Sequence, residues 1–545
     1  MSRILSALLV IVVLAFGIFI GSRLNGGKDG VLEARQKKVQ EAYRLIRSSY
    51  VEPVNDDSLA NTAIRGMVES LDPHTIYLEP EKAAYSNAEL EGNFEGIGIE
   101  FDVVNDTLLV VTPLAGGPSE SAGIMPGDRI LAIDSVNAVG ITRESVLRKL
   151  RGKSGTRVTL RVYRPFARRM IDFLVTRDKI STSSIDAAFM LDDNAGYVRI
   201  SKFVETTARE FHDALLGLKK QGLRRLVIDL RGNPGGFLDQ AVLVADELLP
   251  DRSLIVYTKS RNGGADELKY SAKPGGLFEK GPVALLVDRG SASAAEILAG
   301  ALQDNHRAQL VGELTFGKGL VQRQFEFPDG SALRLTVSRY YTPSGRQIQR
   351  GYDEGSRGRE EYYKKMNDRG LNESVLKKLG GGLYLESGDA RVFTTGRSSG
   401  AAVSDSLRTA LARAGGIMPD YWVTGRPYTN LYQELFAKGV FEDISLKLID
   451  DPSSPLRNFR NSSEAFVAGY SVPADLESRV RAECRMRKIV FNASEYSRDA
   501  VYIRIALKAR IARQLFGTEG QLKVLVRESD PAMKAARQIV GRMAS

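Results

Sequence analysis

Residues 312–320 read GELTFGKGL, and the fold turns on whether the segment after them is a helix or a strand. Gly312, Gly317 and Lys318 stand at the spacing of a phosphate-binding loop. Such a loop needs Ser or Thr directly after its lysine to ligate magnesium, and a helix whose N-terminus faces the phosphates. Gly319 occupies the magnesium position, and the adjoining LVQRQFEF is β-branched, aromatic and alternating, which is strand chemistry. Both requirements fail, and the nucleotide reading is set aside. A lysine between two glycines can instead act as a general base once it is neutral. Lowering its pKa from about 10.4 to about 7 takes about 4 kcal/mol of destabilisation of the cation. Burial supplies shifts of that size, and Leu314, Phe316 and Leu320 are at hand.

Upstream, VALLVDRGSASAAEILAGAL places Ser291 and Ser293 where a buried strand passes into a helix. Amides just past such a serine sit at the positive end of the helix dipole and can hold the oxyanion of a tetrahedral acyl intermediate. Helix capping explains a serine there equally well. Local reasoning does not separate Ser291 from Ser293.

From Gly196 the chain alternates strand and helix. GYVRIS, RLVIDL, SLIVYT, PVALLVD, AQLVG, LVQRQFEF and ALRLTVSRYY read as strands, and 207–220, 238–249 and SAAEILAGALQD as helices. The alternation predicts an α/β core with crossover connections. Beyond Gly351 the stretches DEGSRGREEYYKK and GGGLYLESGD read as an inserted surface segment, GGIMPDYWV as one more strand, and the rest as a largely helical tail. Residues 83–176 have a different texture, with short strands, glycine turns, the short helix SESAGI and the longer helix TRESVLRKLRG. Before them lies a helical stretch ending at Asp72-Pro73.

EGIGIEF followed by PSESAGIMPGDRILAID resembles a bacterial PDZ domain. The resemblance implies that Gly96, Ile97, Gly98 and Ile99 offer main-chain amides to a ligand's terminal carboxylate while the ligand adds as a strand. Together with DLRGNPGG and GSASAAEI…QD…GELTFGKGLVQ, it makes the chain similar to the carboxy-terminal processing peptidases, or tail-specific proteases, from about Tyr43 to Val423. The resemblance implies Ser293 as nucleophile, Lys318 as base and Gln322 as its support. It implies an oxyanion hole from the amide of Ala294 and that of Gly235 or Gly236, with Glu296 and Asp304 supporting. It also implies proteins with apolar, flexible C-termini as substrates. No cofactor or metal is expected.

One point of geometry needs a device. Side chains 318 and 322 share a strand face, yet four residues at strand rise span about 13 Å. A bend or bulge near Gly319 is therefore expected.

Other chemistries fare worse. Gly396-Arg-Ser398-Ser-Gly400 matches a nucleophile elbow, but the three histidines, His74, His212 and His306, all precede it, and that fold needs a later one. His74, in SLDPHTIYL, reads as structural. One cysteine rules out an internal disulfide. The net charge of +10 spreads over 76 basic and 66 acidic residues without a nucleic-acid motif, so no nucleic acid is expected as partner.

Ile4–Gly21 is eighteen uncharged residues, roughly 27 Å as a helix, and reads as an uncleaved membrane anchor. The expected organisation is an anchor or signal segment over 1–27, a helical region over 28–82, the PDZ domain over 83–176, the peptidase core over 177–424 and a helical extension over 425–545. The expected location is the cell envelope with the catalytic region outside the cytoplasm, and a homodimer is a family-level expectation. The competing class is a PDZ adaptor that binds C-termini without cutting them.

Overall fold

In the computed structural model, residues 31–543 are described apart from 105, 115, 262–266, 353–354, 365–381, 388–389, 396–413, 425–427, 460 and 529. The apolar runs Arg225–Asp229 and Val283–Val287 form the centre of an eight-stranded sheet, as expected for strands covered on both faces. Across the sheet run Ile185–Met190, Ala195–Ile200, Arg225–Asp229, Val283–Val287, Gln309–Gly312, Tyr421–Val423, Ala390–Thr394 and Leu383–Ser387. The five from Ala195 to Tyr421 pair in parallel, and the outer strands are antiparallel.

Helices Thr207–Lys220, Leu238–Asp246 and Ala294–Asp304 cover one face, burying Phe211, Leu215, Val244 and Leu298 against Ile228 and Leu285. The other face is covered by the last helix, Pro531–Arg542, whose Met533, Ala536 and Val540 pack on Val227, Ala284 and Leu286. Each large apolar side chain buried there contributes about 2 kcal/mol. The end of the helical tail is thus a layer of the core. Arg231, paired with the buried Asp229 at 2.6 Å, also reaches Asp530 at 2.6 Å and ties the helix down.

The later strands of the chain do not all join the core sheet. Leu254–Ser260, Leu268–Ser271, Leu320–Glu326 and Ala332–Tyr341 form a separate antiparallel sheet, which Ile76–Leu78 completes through Ile76 opposite Arg334 and Leu78 opposite Ala332. Periodicity identifies a strand but is silent about its neighbours.

The helical region before the PDZ domain is therefore stitched to the second sheet. Helix Gly355–Lys364, in the stretch expected to be surface insertion, buries Tyr362, and its Arg359 donates to the carbonyls of Asp72 and Thr75. The PDZ domain has six strands with Ile99–Val104 at the free edge and helix Arg143–Leu150 beside it. Its core contains Ile97, Phe101, Leu108, Ile130, Val146 and Leu160. Helices Asn430–Ala437, Val440–Asp450, Ser463–Gly469, Leu476–Met486 and Ala493–Glu528 pack around Leu435, Phe441, Phe466 and Ile503. Among the described residues no helix is long and apolar enough to cross a membrane. Ile4–Gly21 and the Gly396–Gly400 match lie outside the described residues.

Candidate active site

The strand Val283–Val287 ends in a turn that sorts the two serines. Ser291 is fully buried; its Oγ donates to Leu230 O at 2.8 Å and accepts from Asp288 N at 3.0 Å. It holds the turn. Ser293 lies at the N-terminus of helix Ala294–Asp304 with φ 53° and ψ −114°, a conformation that costs a non-glycine residue about 1–3 kcal/mol. It lines a cavity of about 560 Å³ together with Lys318, Gln322, Gly235, Gly236 and Ala294.

Lys318 enters from the segment that joins the two sheets. Its Nζ donates to Gln322 Oε1 at 2.8 Å, and Gln322 Nε2 donates to His74 O at 2.5 Å. That second bond fixes which end of the amide meets the lysine. The reach across four residues is made possible by a register slip between Val321 and Gln322, two residues beyond the expected Gly319. Among the described residues no hydrogen bond joins Ser293 Oγ to Lys318 Nζ. Burial, helped by Arg334, brings the lysine pKa down to about 8, against the opposing charges of Asp72 and Glu296. About one lysine in eleven is then neutral at pH 7, against about one in two thousand for a free side chain.

Glu296, fully buried, gathers the main chains of both residues. Its Oε2 accepts from Ser293 N and Lys318 N, each at 2.9 Å, and its Oε1 from Gly317 N at 2.7 Å and Thr315 Oγ1 at 2.6 Å. Burial pushes its pKa up, and these four donors oppose the shift by stabilising the carboxylate. On the carbonyl side, the buried Tyr340 hydroxyl lies 3.1 Å from Ser293 O and 2.8 Å from Lys318 O. The two residues are thus held relative to each other by N–H groups at one end and C=O groups at the other.

The turn after Arg225–Asp229 closes the cavity. Asn233 is fully buried; its Oδ1 accepts from Gly235 N at 2.8 Å and its main-chain carbonyl accepts from Ala292 N at 2.9 Å. The Gly235 amide is therefore occupied, whereas those of Gly236 and Ala294 make no hydrogen bond among the described residues. A Cβ at Gly235, whose φ is +97°, would lie 2.7 Å from Ser293 Cβ and 2.9 Å from Ala294 N. Gly235→Ala should therefore lower kcat on the order of a hundredfold with little change in KM, because the collision falls on Ser293. A variant with wild-type kcat contradicts this packing.

Asp304 is not brought to the cavity. It ends the helix that Ser293 begins, about 16 Å along it, where it pairs with Arg346 at 2.5 Å and accepts from Ser344 Oγ at 2.6 Å. The expectation that it supports the site is corrected: its carboxylate holds the turn after strand Ala332–Tyr341. Gly96, Ile97, Gly98 and Ile99 also stand apart from the catalytic cavity, at the start of the free PDZ edge, with Gly98 at φ +72°. Only four residues separate Gly96 from Glu91 on the cavity wall.

Asn233, Tyr340, Arg334 and the Asp72–Thr75 turn were missed by sequence reasoning. The turn has a local signal: Asp72 Oδ1 accepts from His74 N at 2.9 Å and Thr75 N at 3.0 Å, a side-chain turn that Asp-Pro-His-Thr invites. His74 is buried against Tyr362 with its pKa driven down to about 3 by burial and by Lys318, and it stays neutral. Tyr340 carries no such signal, being one aromatic residue in an alternating strand.

A model of peptidase family S41 matches residues 194–354 and a PDZ-domain model matches 109–164. A model described as the activating protease CtpB N-terminal domain matches 23–82, and a family of unknown function matches 431–517. The carboxy-terminal processing protease CtpA of Bacillus subtilis (strain 168) is 37% identical over 58% of this chain and 67% of its own length. A carboxy-terminal-processing protease of Bartonella bacilliformis is 38% identical over 57% of this chain and 71% of its own. The chain belongs to the carboxy-terminal processing peptidases of family S41. A solved photosystem II D1 C-terminal processing protease is 34% identical, with 57% of this chain and 83% of that one covered at a TM-score of 0.35. This S41 peptidase is a serine hydrolase of peptide bonds with a PDZ domain.

Proposed function

We propose that the peptidase cuts through a Ser293–Lys318 pair. Neutral Lys318 Nζ takes the proton of Ser293 Oγ as the oxygen attacks the scissile carbonyl carbon. The oxyanion is received by the N–H groups of Ala294 and Gly236, the two unoccupied amides beside Ser293. The C–N bond then breaks, the leaving amine takes the proton from Lys318, and water releases the acyl group by the same base. Gln322 keeps the lysine aimed, and Glu296 and Tyr340 hold the two main chains in register. The observation that carries this reading is a lysine lowered to about 8 in the same cavity as a serine in a strained backbone.

In the same reading the amides after Gly96 capture the free C-terminus of a protein with an apolar, loosely ordered tail. Ile97 and Gly98 N–H make no hydrogen bond among the described residues. Ile4–Gly21 anchors the chain, the catalytic region and its substrates lie outside the cytoplasm, and two copies pair through helical ends. Membrane fractionation and protease accessibility in intact cells test the anchor; light scattering tests the pairing.

The decisive experiment incubates the peptidase with an unfolded, apolar-tailed protein and identifies fragments by mass spectrometry. Ser293→Ala and Lys318→Ala should each cut at less than about a thousandth of the wild-type rate. Cleavage surviving in either variant refutes the pair. The pH profile is a second check. Because the neutral amine is the base, kcat/KM should rise with pH and level off above about 8, with no inflection near 6.5 from His74.

A further inference from the structure

The tail groove does not end with the PDZ domain. Gly96 lies at the C-terminal end of helix Arg143–Leu150, where an added Cβ would sit 3.3 Å from Leu150 O; at the other end Arg143 stacks over Phe101, 4.6 Å from the ring centre. A tail held by its carboxylate at Gly96–Ile99 and paired antiparallel to Ile99–Val104 therefore runs from Leu150 toward Arg143. Its residues about four to seven from the end emerge beside Val103 and Val104. A cavity of about 630 Å³ opens at that point, and its far wall is the helical extension, with Phe436, Lys438 and Arg510.

The walls of this cavity are apolar and basic. Phe436 is 54% exposed and Val103 39%, two large apolar side chains lining one cavity. Arg143, Lys438, Arg487 and Arg510 line it against Asp102 and Glu442. Arg510 pairs with Glu442 at 2.9 Å and Arg487 with Asp443, while Arg513 takes up Asp102 at 3.6 Å. Among the described residues the Lys438 ammonium has only an exposed contact to Glu434 at 3.6 Å, the kind worth little. Arg143 makes no ion pair among the described residues; it donates to Phe101 O at 3.3 Å. The extension is fixed in place by Arg513 on Glu100 at 2.8 Å and by Arg129 on Asp450.

We infer that the helical extension builds a second subsite onto the PDZ groove, where Phe436 and Lys438 read an apolar-acidic segment of the substrate about four to seven residues before its C-terminus. The inference rests on tail capture at Gly96–Ile99 and adds to it a preference upstream of the terminus. It gives the extension a part in substrate choice.

The test uses the full chain carrying Ser293→Ala and fluorescent peptides with the same apolar tail. One peptide is about four residues long, two are about ten residues long with either glutamates or lysines in the upstream segment, and a fourth is the glutamate peptide amidated at its C-terminus. The glutamate peptide should bind about tenfold tighter than the short one and tighter than the lysine one. Adding Phe436→Ser with Lys438→Glu should remove that gain, leave the short peptide unchanged and improve the lysine peptide. Both substituted side chains are exposed, and melting curves check that the fold is intact. Equal binding of the glutamate peptide with and without the two substitutions overturns the subsite while sparing tail capture. Amidation without effect, or no binding of any peptide, overturns tail capture and the subsite with it.

Discussion

Lys318→Met should abolish cleavage and at the same time make the protein harder to unfold. The lysine is held at about 8, chiefly because burial disfavours its charged form. In the unfolded chain it titrates near 10.4. Below pH 8 both states carry the proton, and the folded state bears the full cost of the buried cation, about 3 kcal/mol. Methionine has a similar length and no charge. It forfeits the bond to Gln322 Oε1, about 1 kcal/mol, and leaves a net gain of roughly 2 kcal/mol at pH 7. The sign comes from linkage. The unfolded state binds more protons between about pH 8 and 10.4, so wild-type stability rises through that window, and the variant's advantage passes through zero inside it and becomes a deficit of about 1 kcal/mol above it. Activity should fall on the order of ten-thousandfold, as for other residues that act as a catalytic unit. Denaturant melts at pH 7 and pH 10.5, beside single-turnover cleavage, decide it. A variant less stable than wild type at pH 7 removes the case for a buried, destabilised base.

Glu296→Gln should cost both activity and stability. The carboxylate accepts from four donors, three of them main-chain N–H groups. A glutamine offers one oxygen and one NH2: at the Oε2 position the NH2 faces the N–H groups of Ser293 and Lys318, and at the Oε1 position it faces the N–H of Gly317 and disturbs the bond from Thr315 Oγ1. Each buried group left unsatisfied costs about 1–3 kcal/mol, and the pair about 2–5 kcal/mol. The same bonds hold Ser293 N and Lys318 N on one oxygen, so losing them loosens the distance on which proton transfer depends. We expect kcat to fall about a hundredfold or more with KM nearly unchanged, since Glu296 does not line the substrate cavity. A glutamine variant with wild-type melting and kcat would show that the four bonds are incidental.

How much of this was readable from the chain differs residue by residue. Ser293 and Lys318 stood out because each sits in a local pattern: a strand-to-helix junction rich in small residues, and a lysine between glycines before an alternating strand. The choice between Ser291 and Ser293 did not emerge from that pattern, since both suit a helix start. The family resemblance implied Ser293, and in the structure the Ser291 hydroxyl is buried against Leu230 O, just past a strand end about sixty residues away. The need for a bulge before Gln322 could be argued from strand rise, while its position could not. Asp304 was expected near the site from the resemblance alone, and helix length carries it to the end opposite Ser293.

What the sequence by itself determined is therefore the set of elements and the chemical candidates: an α/β core, a glycine loop before a PDZ-like unit, a serine at a helix start and a lysine free of any phosphate role. Only the tertiary structure decided that strands 320–341 leave the core for a second sheet, that Pro531–Arg542 closes the core's far face, and that His74, Asn233 and Tyr340 surround the pair. The reason is physical. Periodicity, caps and turn residues record the forces between neighbours a few positions apart. A bond such as that from Gln322 to His74 spans 248 positions, and a contact at that separation leaves no periodic trace in either segment.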